Sequence, residues 1–300
     1  MNLPTPRSPE DEFSPEPVLK FGIRPENLRI RPEREVRVRL NLNQHSLERL
    51  LTELGEAWFS TITPSTMLHR KFASGTLPEV CWLDGGFGTV NEKHMDLLYD
   101  ISKGRRMWAI QRTDDKGRKS FRLEICNGEG VAHQIRITRR SNVRAFLKWV
   151  NKYQAECQTS CPAPHSSSGL LDFMETRWRE WLKRPDICRR VERTAVPAFL
   201  EAMANHPSPQ QVTVLNSLVK QTSETRFESC QVNGSKITLK SPHVIFQWDS
   251  ATMAEAWLIH CGCACGEELL EMYDTDNRLM ASVACRGITP AMERLLPTLN

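Results

Sequence analysis

The residues of this 300-residue chain whose spacing first suggests chemistry are thiols. Cys261-Gly262-Cys263-Ala264-Cys265-Gly266 puts three sulfurs at alternate positions directly after His260. Such a set could hold a soft metal, with the imidazole as a fourth donor. Tetrahedral zinc sites usually combine a Cys-x-x-Cys type of spacing with a distant second pair, and no clean second pair follows here. A hairpin tip, where Gly is expected anyway, is the competing reading. Asp84-Gly85-Gly86-Phe87-Gly88 is glycine-rich, but no Lys-Ser/Thr follows and no helix opens there. It reads as a β-turn rather than a phosphate cradle. Gly-x-Ser-x-Gly, zinc-protease and dinucleotide-binding fingerprints are absent from the sequence.

Composition narrows the classes further. Ten cysteines are scattered along a chain whose first residues hold no apolar signal core, which points to reduced thiols in a cytoplasm rather than a disulfide framework. No apolar run approaches the ~18–20 residues of a membrane helix. A net charge of +4 suits an anionic ligand. Basic residues do not gather with aromatic ones along the sequence, so no nucleic-acid partner is expected. At this length two modest domains can each bury a core.

The pattern along the chain predicts what must position these residues. Residues 1–20 carry five prolines and several acids and read as a disordered leader. EVRVRLNLN alternates Val36, Val38, Leu40 and Leu42 against polar positions, the period of a half-buried strand. Leu47, Leu50, Leu51 and Leu54 share one helical face in 46–57, which stops at Gly55. Short strand candidates follow: WFSTITP, TMLHRKF, VCWLDGGFGTV, RRMWAIQR and KSFRLEICNGEGVAHQIRIT. Turns are expected at Asp114-Asp115-Lys116-Gly117 and Asn127-Gly128. A helix over 141–154 has Ser141 as its N-cap and Val143, Phe146, Leu147 and Val150 as its apolar stripe.

Residues 155–170 are Ser-, Pro- and Ala-rich and read as a linker. The segment 173–206 reads as helical, with a break at Pro185. Then come RFESCQVN, SKITLKS, HVIFQWD, AEAWLIHC, ELLEMYD and LMASVAC as strands, the last hairpin pair having 261–266 as its loop, and a closing helix PAMERLLPTL.

Both halves thus run helix, short strands, closing helix. RRMWAIQR parallels AEAWLIHC, with Trp108 and Trp257 149 positions apart. RLEICNGEGVAHQI parallels LLEMYDTDNRLMASV, with Leu123 and Leu270 147 apart. The expected fold is α+β, a tandem duplication of two antiparallel β-sheet modules flanked by helices, spanning 21–154 and 171–300.

The order of these motifs resembles a known family. Leu54-Gly55-Glu56, His69-Arg70-Lys71, Met95-Asp96-Leu97, FRLEICNGEGVAHQIRI and NVRAFLKWVNKYQ follow one another in the first half. FQWDSATMAEAWLIH followed by LLEMYDTDNRLMA marks the second. Over roughly residues 46–300 the chain is similar to the haemin-degrading and haemin-transport proteins of the HemS/ChuS type. That resemblance implies two large antiparallel sheets with helices, haem as cofactor, and in some members oxidative ring opening of haem. It also implies a haem-uptake transporter or a reductant as partner.

The resemblance maps onto particular residues. The family's axial histidine follows a Trp in an Asp-aliphatic-His context. Here Trp181 precedes Asp186-Ile187-Cys188, so Cys188 takes the place of the iron ligand. Arg184, Arg189 and Arg190 around it would favour the thiolate. The competing reading makes Cys188 a helix cysteine without a ligand role. The family's distal arginine follows an Asp-Leu pair, and here Leu98 stands there, unable to hydrogen-bond a ligand of iron. His94, Arg105 and Arg106 are near enough in sequence to substitute, or the arginines are solvated strand-edge charges. Arg286 lies where the family has a basic residue after the last strand, either for a propionate or as a surface charge. His69 and His133 match family histidines and read as packing residues, as do Trp82, Trp108, Trp248 and Trp257.

Two functions follow from this reading. One is a cytoplasmic haem-binding protein of haem and iron utilisation, a carrier or a haem-degrading enzyme. The other is a non-enzymatic descendant that no longer binds haem and acts as a regulatory or interaction protein. The replacements at Leu98 and Cys188 are what weaken the enzymatic reading.

Overall fold

The computed structural model describes residues 28–31, 35–41, 43–72, 79–82, 87–92, 95–154, 183–260, 267–286, 292 and 294–295. The leader, the linker at 155–170, the turn at 84–86, the thiols at 261–266, and His94 lie outside the described residues, as does most of the closing segment. Among the described residues no helix is long and apolar enough to cross a membrane.

The first half contributes β1 (Leu28–Arg31), β2 (Glu35–Leu40), α1 (Gln44–Glu53), β3 (Gly55–Ile62), β4 (Thr66–Phe72), β5 (Glu79–Trp82), β6 (Phe87–Glu92), β7 (Met95–Asp100), β8 (Arg106–Thr113), β9 (Lys119–Cys126), β10 (Val131–Ser141) and α2 (Val143–Lys152). The second half contributes β11 (Cys188–Val191), α3 (Val196–Ala204), β12 (Gln210–Leu215), β13 (Val219–Thr225), β14 (Ser229–Asn233), β15 (Lys236–Lys240), β16 (Val244–Asp249), β17 (Met253–His260), β18 (Glu267–Asp274) and β19 (Leu279–Arg286).

These strands form two antiparallel sheets. The first runs β1-β2-β8-β9-β10-β3-β4-β16-β15-β14, and the second β11-β17-β18-β19-β12-β13-β7-β6-β5. From β2 and from β11 outward the two orders correspond strand for strand, so the duplication is written into the topology. Each sheet also takes a three-stranded meander from the other half of the chain, through β4–β16 and β13–β7. The repeated Trp keeps its cross-strand partner: Trp108 lies opposite Glu124, and Trp257 opposite Glu271.

The sheets face one another across two apolar cores. In one, Leu47, Leu50 and Leu51 of α1 and Phe146, Trp149 and Val150 of α2 pack on Val38, Leu123 and Ile135, with Leu97 and Tyr99 arriving from the second sheet. In the other, Val196, Phe199, Leu200 and Met203 form the i, i+3, i+4, i+7 stripe of α3 against Val212, Leu258 and Met272, with Phe246 and Trp248 arriving from the first sheet. Asn216 ties the two layers together. Its amide donates to Ile62 O at 2.9 Å and Ala132 O at 2.8 Å, while its oxygen accepts from Leu218 N and Val219 N.

Gly55 ends α1 as its position predicts. It holds φ at +73°, a conformation that L side chains rarely adopt, and turns the chain straight into β3. Ser141 is not the cap of α2. Asn142 is, accepting from Ala145 N, while Ser141 Oγ is drawn across the sheet to Glu56 O. The helical reading of 173–206 fails at Cys188–Val191, which is strand β11 and pairs with Ala256–Ile259. The free edge of β17 offers hydrogen bonds and a buried place for Cys188 and Val191, which outweighs the helical propensity of the surrounding residues.

Candidate functional site

The outward face of the second sheet holds Cys188, Arg190, Trp257 and Leu98 of the residues that the sequence singled out. Side chains alternate along a strand, so residues in register share a face. Cys188 is opposite Ile259, which is opposite Leu269, which is opposite Ala284. Trp257, Glu271 and Ser282 form the adjacent row on the same face. The result is a buried apolar patch of Cys188, Leu215, Trp257, Ile259, Tyr273 and Leu279, with Leu269 at its border.

Polar groups punctuate this patch. Glu271 is wholly buried, and Tyr273 Oη donates to its Oε2 at 2.5 Å. Glu255 accepts from Trp257 Nε1 at 3.1 Å and from Arg190 at 3.0 Å. Sequence reading did not single out Glu255, Glu271 or Tyr273 as site residues. Period two in LLEMYD places Glu271 and Tyr273 together beneath Trp257, which was the available signal.

Cys188 is buried at the edge of the patch, and its Sγ donates to Arg184 O at 2.9 Å. The arginines do not lower its pKa as expected. Burial pushes the thiol up, the Asp186 carboxylate adds to that, and Arg184 opposes them without prevailing. Arg184 is turned to Asp186, with both of its contacts at 3.2 Å. Arg189 follows Cys188 in the strand and so projects from the opposite face, in register with core residue Leu258.

Arg286 closes β19 opposite Glu267, at the same end of the second sheet as Cys188. Arg105 instead precedes β8 in the first sheet, its N–H bonded to Cys126 O at 2.8 Å. Leu98 pairs with Lys220, which pairs with Leu215, so Leu98 shares the outward face with Cys188. Six strand spacings separate them, roughly 29 Å along the sheet at ~4.8 Å each. The structure therefore does not bring these two positions together within the sheet.

The two family-matching histidines both lie on the first sheet. His133 is fully buried on its inner face, where burial lowers its pKa to about 3. His69 lies on its outer face with Nδ1 2.6 Å from Ser60 Oγ, and burial, helped by Arg136, lowers it to about 4. Both are neutral near pH 7. Among the described residues no three His, Cys, Asp or Glu side chains converge as metal ligands.

No family model matches the sequence, and no curated protein matches it. Solved structures do. Holo-PhuS, a heme-binding protein from Pseudomonas aeruginosa, superposes with a TM-score of 0.71 at 20% identity, over 88% of this chain and 87% of that one. The chain has the fold of PhuS. The same fold is found in the heme-degrading enzyme ChuS of Escherichia coli O157:H7, with a TM-score of 0.68 at 14% identity over 86% of this chain and 85% of the other. A second structure of ChuS, described as an E. coli heme oxygenase, gives 0.67 at 14% identity, covering 86% of each. The duplicated sheets and exchanged meanders thus make up a PhuS-like fold along nearly the whole chain.

Haem needs a flat apolar wall, cations for two propionates and an axial donor. The outward patch has the apolar residues for such a wall in Trp257, Ile259, Leu269 and Leu215, of which all but Leu269 are already covered, and Arg190, paired with Glu255, and Lys220 lie at its margins. It supplies one sulfur donor, Cys188, whose protonation has to be overcome. On these grounds the residues suit the group, and the face has to open to admit it.

Proposed function

We propose that this protein binds haem on the outward face of its second sheet and serves haem and iron utilisation as a cytoplasmic carrier. The observation that carries the reading is the match to holo-PhuS over nearly nine-tenths of the chain. Two PhuS-like modules, 21–154 and 171–300 joined by 155–170, are the units of the duplication. A haem-uptake transporter or a reductant is its partner in the cell.

Trp257, Ile259, Leu269 and Tyr273 hold the macrocycle in this reading, once what covers them in the free protein has moved aside. Arg286, at the end of β19, is the residue assigned to one propionate. Cys188 is the axial donor. To act it must release Arg184 O and lose a proton that burial and Asp186 hold in place. Bound haem would supply a redox-active iron. Leu98, which the resemblance put in the place of a hydrogen-bonding arginine, lies six strands from Cys188 and offers haem held there no hydrogen bond. Binding is therefore favoured over turnover.

Titration of the purified chain with haemin tests this. A saturable shift of the Soret band with one haem per chain supports the reading, and haemin behaving as it does in buffer refutes it.

A further inference from the structure

We propose that the cleft between α1 and α2 binds a small ligand carrying a chain of phosphate groups. The cleft lies away from the outward face of the second sheet and has a volume of about 560 Å³. That is within the range typical of small-molecule sites.

Three of its cations stand in a line. Arg144, Lys148 and Lys152 recur every four residues along α2, so they share one face at roughly 6 Å intervals. Arg49 of α1 faces them from the other side. Among the described residues the only acid in the lining is Glu53, and its carboxylate is already taken by Arg49 at 2.9 Å. Trp149 and Tyr153 form the floor, their ring centroids 5.6 Å apart, with the Lys152 ammonium 5.2 Å from the Tyr153 ring.

This arrangement disfavours its own helix. Like charges four residues apart repel, and α2 contains no acid to interleave with them. Arg144 is also the second residue of the helix, where the aligned peptide dipoles repel a cation. An ordinary solvated helix face would alternate signs. Among the described residues no carboxylate pairs with Arg144 or Lys148. A row of phosphates along α2 relieves both repulsions at once, and a linear array of cations matches a phosphate chain better than a single anion. The sequence conceals the site because Arg49 comes from a helix nearly a hundred residues earlier.

The test uses the full chain, calorimetry at about 20 mM salt, where screening is weak, and three probes: tripolyphosphate, orthophosphate and an oligothymidylate. The expected result is one tripolyphosphate per chain, bound at least about tenfold more tightly than orthophosphate, each added charge-assisted contact strengthening the hold. The double variant Arg144→Glu, Lys148→Glu should weaken it by at least about tenfold while leaving the circular dichroism spectrum and the response to haemin unchanged. The two new acids still repel each other, but the swap makes positions 148 and 152 attract and places an acid in the first turn of α2, so the helix should fold about as well as before. Absence of tripolyphosphate binding overturns the proposal, as does equal binding by the folded double variant. Binding of the oligonucleotide without tripolyphosphate also overturns it.

Discussion

The Tyr99 hydroxyl donates to His133 Nε2 at 2.9 Å, joining β7 of the second sheet to β10 of the first with the two rings edge-on at 5.3 Å. The imidazole's hydrogen is then on Nδ1, because Thr61 beside it donates elsewhere and can only accept. Thr61 Oγ1 lies 3.3 Å from that nitrogen and donates onward to Gln221 Oε1 at 2.8 Å. A fully buried polar chain thus crosses between the sheets and ends at Gln221, whose Nε2 is buried without a hydrogen-bond partner among the described residues.

Acid should weaken this link through the histidine. Its folded-state pKa, about 3, lies below the ordinary 6.5 because burial disfavours the cation. Above pH 6.5 both folded and unfolded states hold it neutral, so nothing is gained or lost. Below 6.5 the unfolded chain takes up a proton that the folded one refuses, and stability falls by up to about 1.4 kcal/mol per pH unit. His69, lowered to about 4, adds a second such slope. Urea unfolding at pH 7 and pH 5 should show a smaller loss for His133→Gln than for wild type. Parallel losses would mean that His133 titrates normally.

Asn216→Ala should cost stability without touching the proposed ligand face. The substitution orphans two carbonyls and two N–H groups between the sheets. At ~1–3 kcal/mol for each buried group left unsatisfied, less whatever water can repair, a total of about 2–4 kcal/mol is expected. Denaturant midpoints measure it, and a change under about 0.5 kcal/mol, the range of an ordinary surface substitution, would contradict the account.

Cys188 should ligate iron more readily as the pH rises. Its thiol pKa is raised, so the thiolate is scarce near neutrality and grows as the pH approaches and passes the elevated value. Haemin spectra of wild type should therefore change with rising pH in a way that Cys188→Ala does not reproduce. Identical spectra for the two proteins at every pH would remove Cys188 as the ligand.

Much of the fold was legible from local pattern. TMLHRKF is β4 to the residue, and AEAWLIHC pairs with ELLEMYD as an antiparallel hairpin, because period-two burial is a local signal. QQVTVL and VKQTSET were not read as strands. Their polar residues, Gln221 and Thr222 among them, are buried only because β12 and β13 lie inside a sheet completed by β7 from the other half. The β4–β16 and β7–β13 pairings join residues far apart in sequence, and no local pattern selects such partners. The candidate face was legible in part. Trp257 and Cys188 were noticed, but that Trp257 joins a buried apolar patch depends on which way each strand faces. Cys188 itself was placed in a helix because CRRV lies among helix formers.

The central claim is that haem occupies the outward face of the second sheet, and the duplication provides its own control. Trp257 and Trp108 are equivalent residues of the two sheets, each opposite a glutamate on the neighbouring strand. Haemin titration of Trp257→Ala beside Trp108→Ala, followed at the Soret band, tests the claim most directly. The account predicts at least about tenfold weaker binding for Trp257→Ala, equivalent to about 1.4 kcal/mol, with Trp108→Ala like wild type. Equal affinities for the two folded variants, or a loss confined to Trp108→Ala, would contradict it.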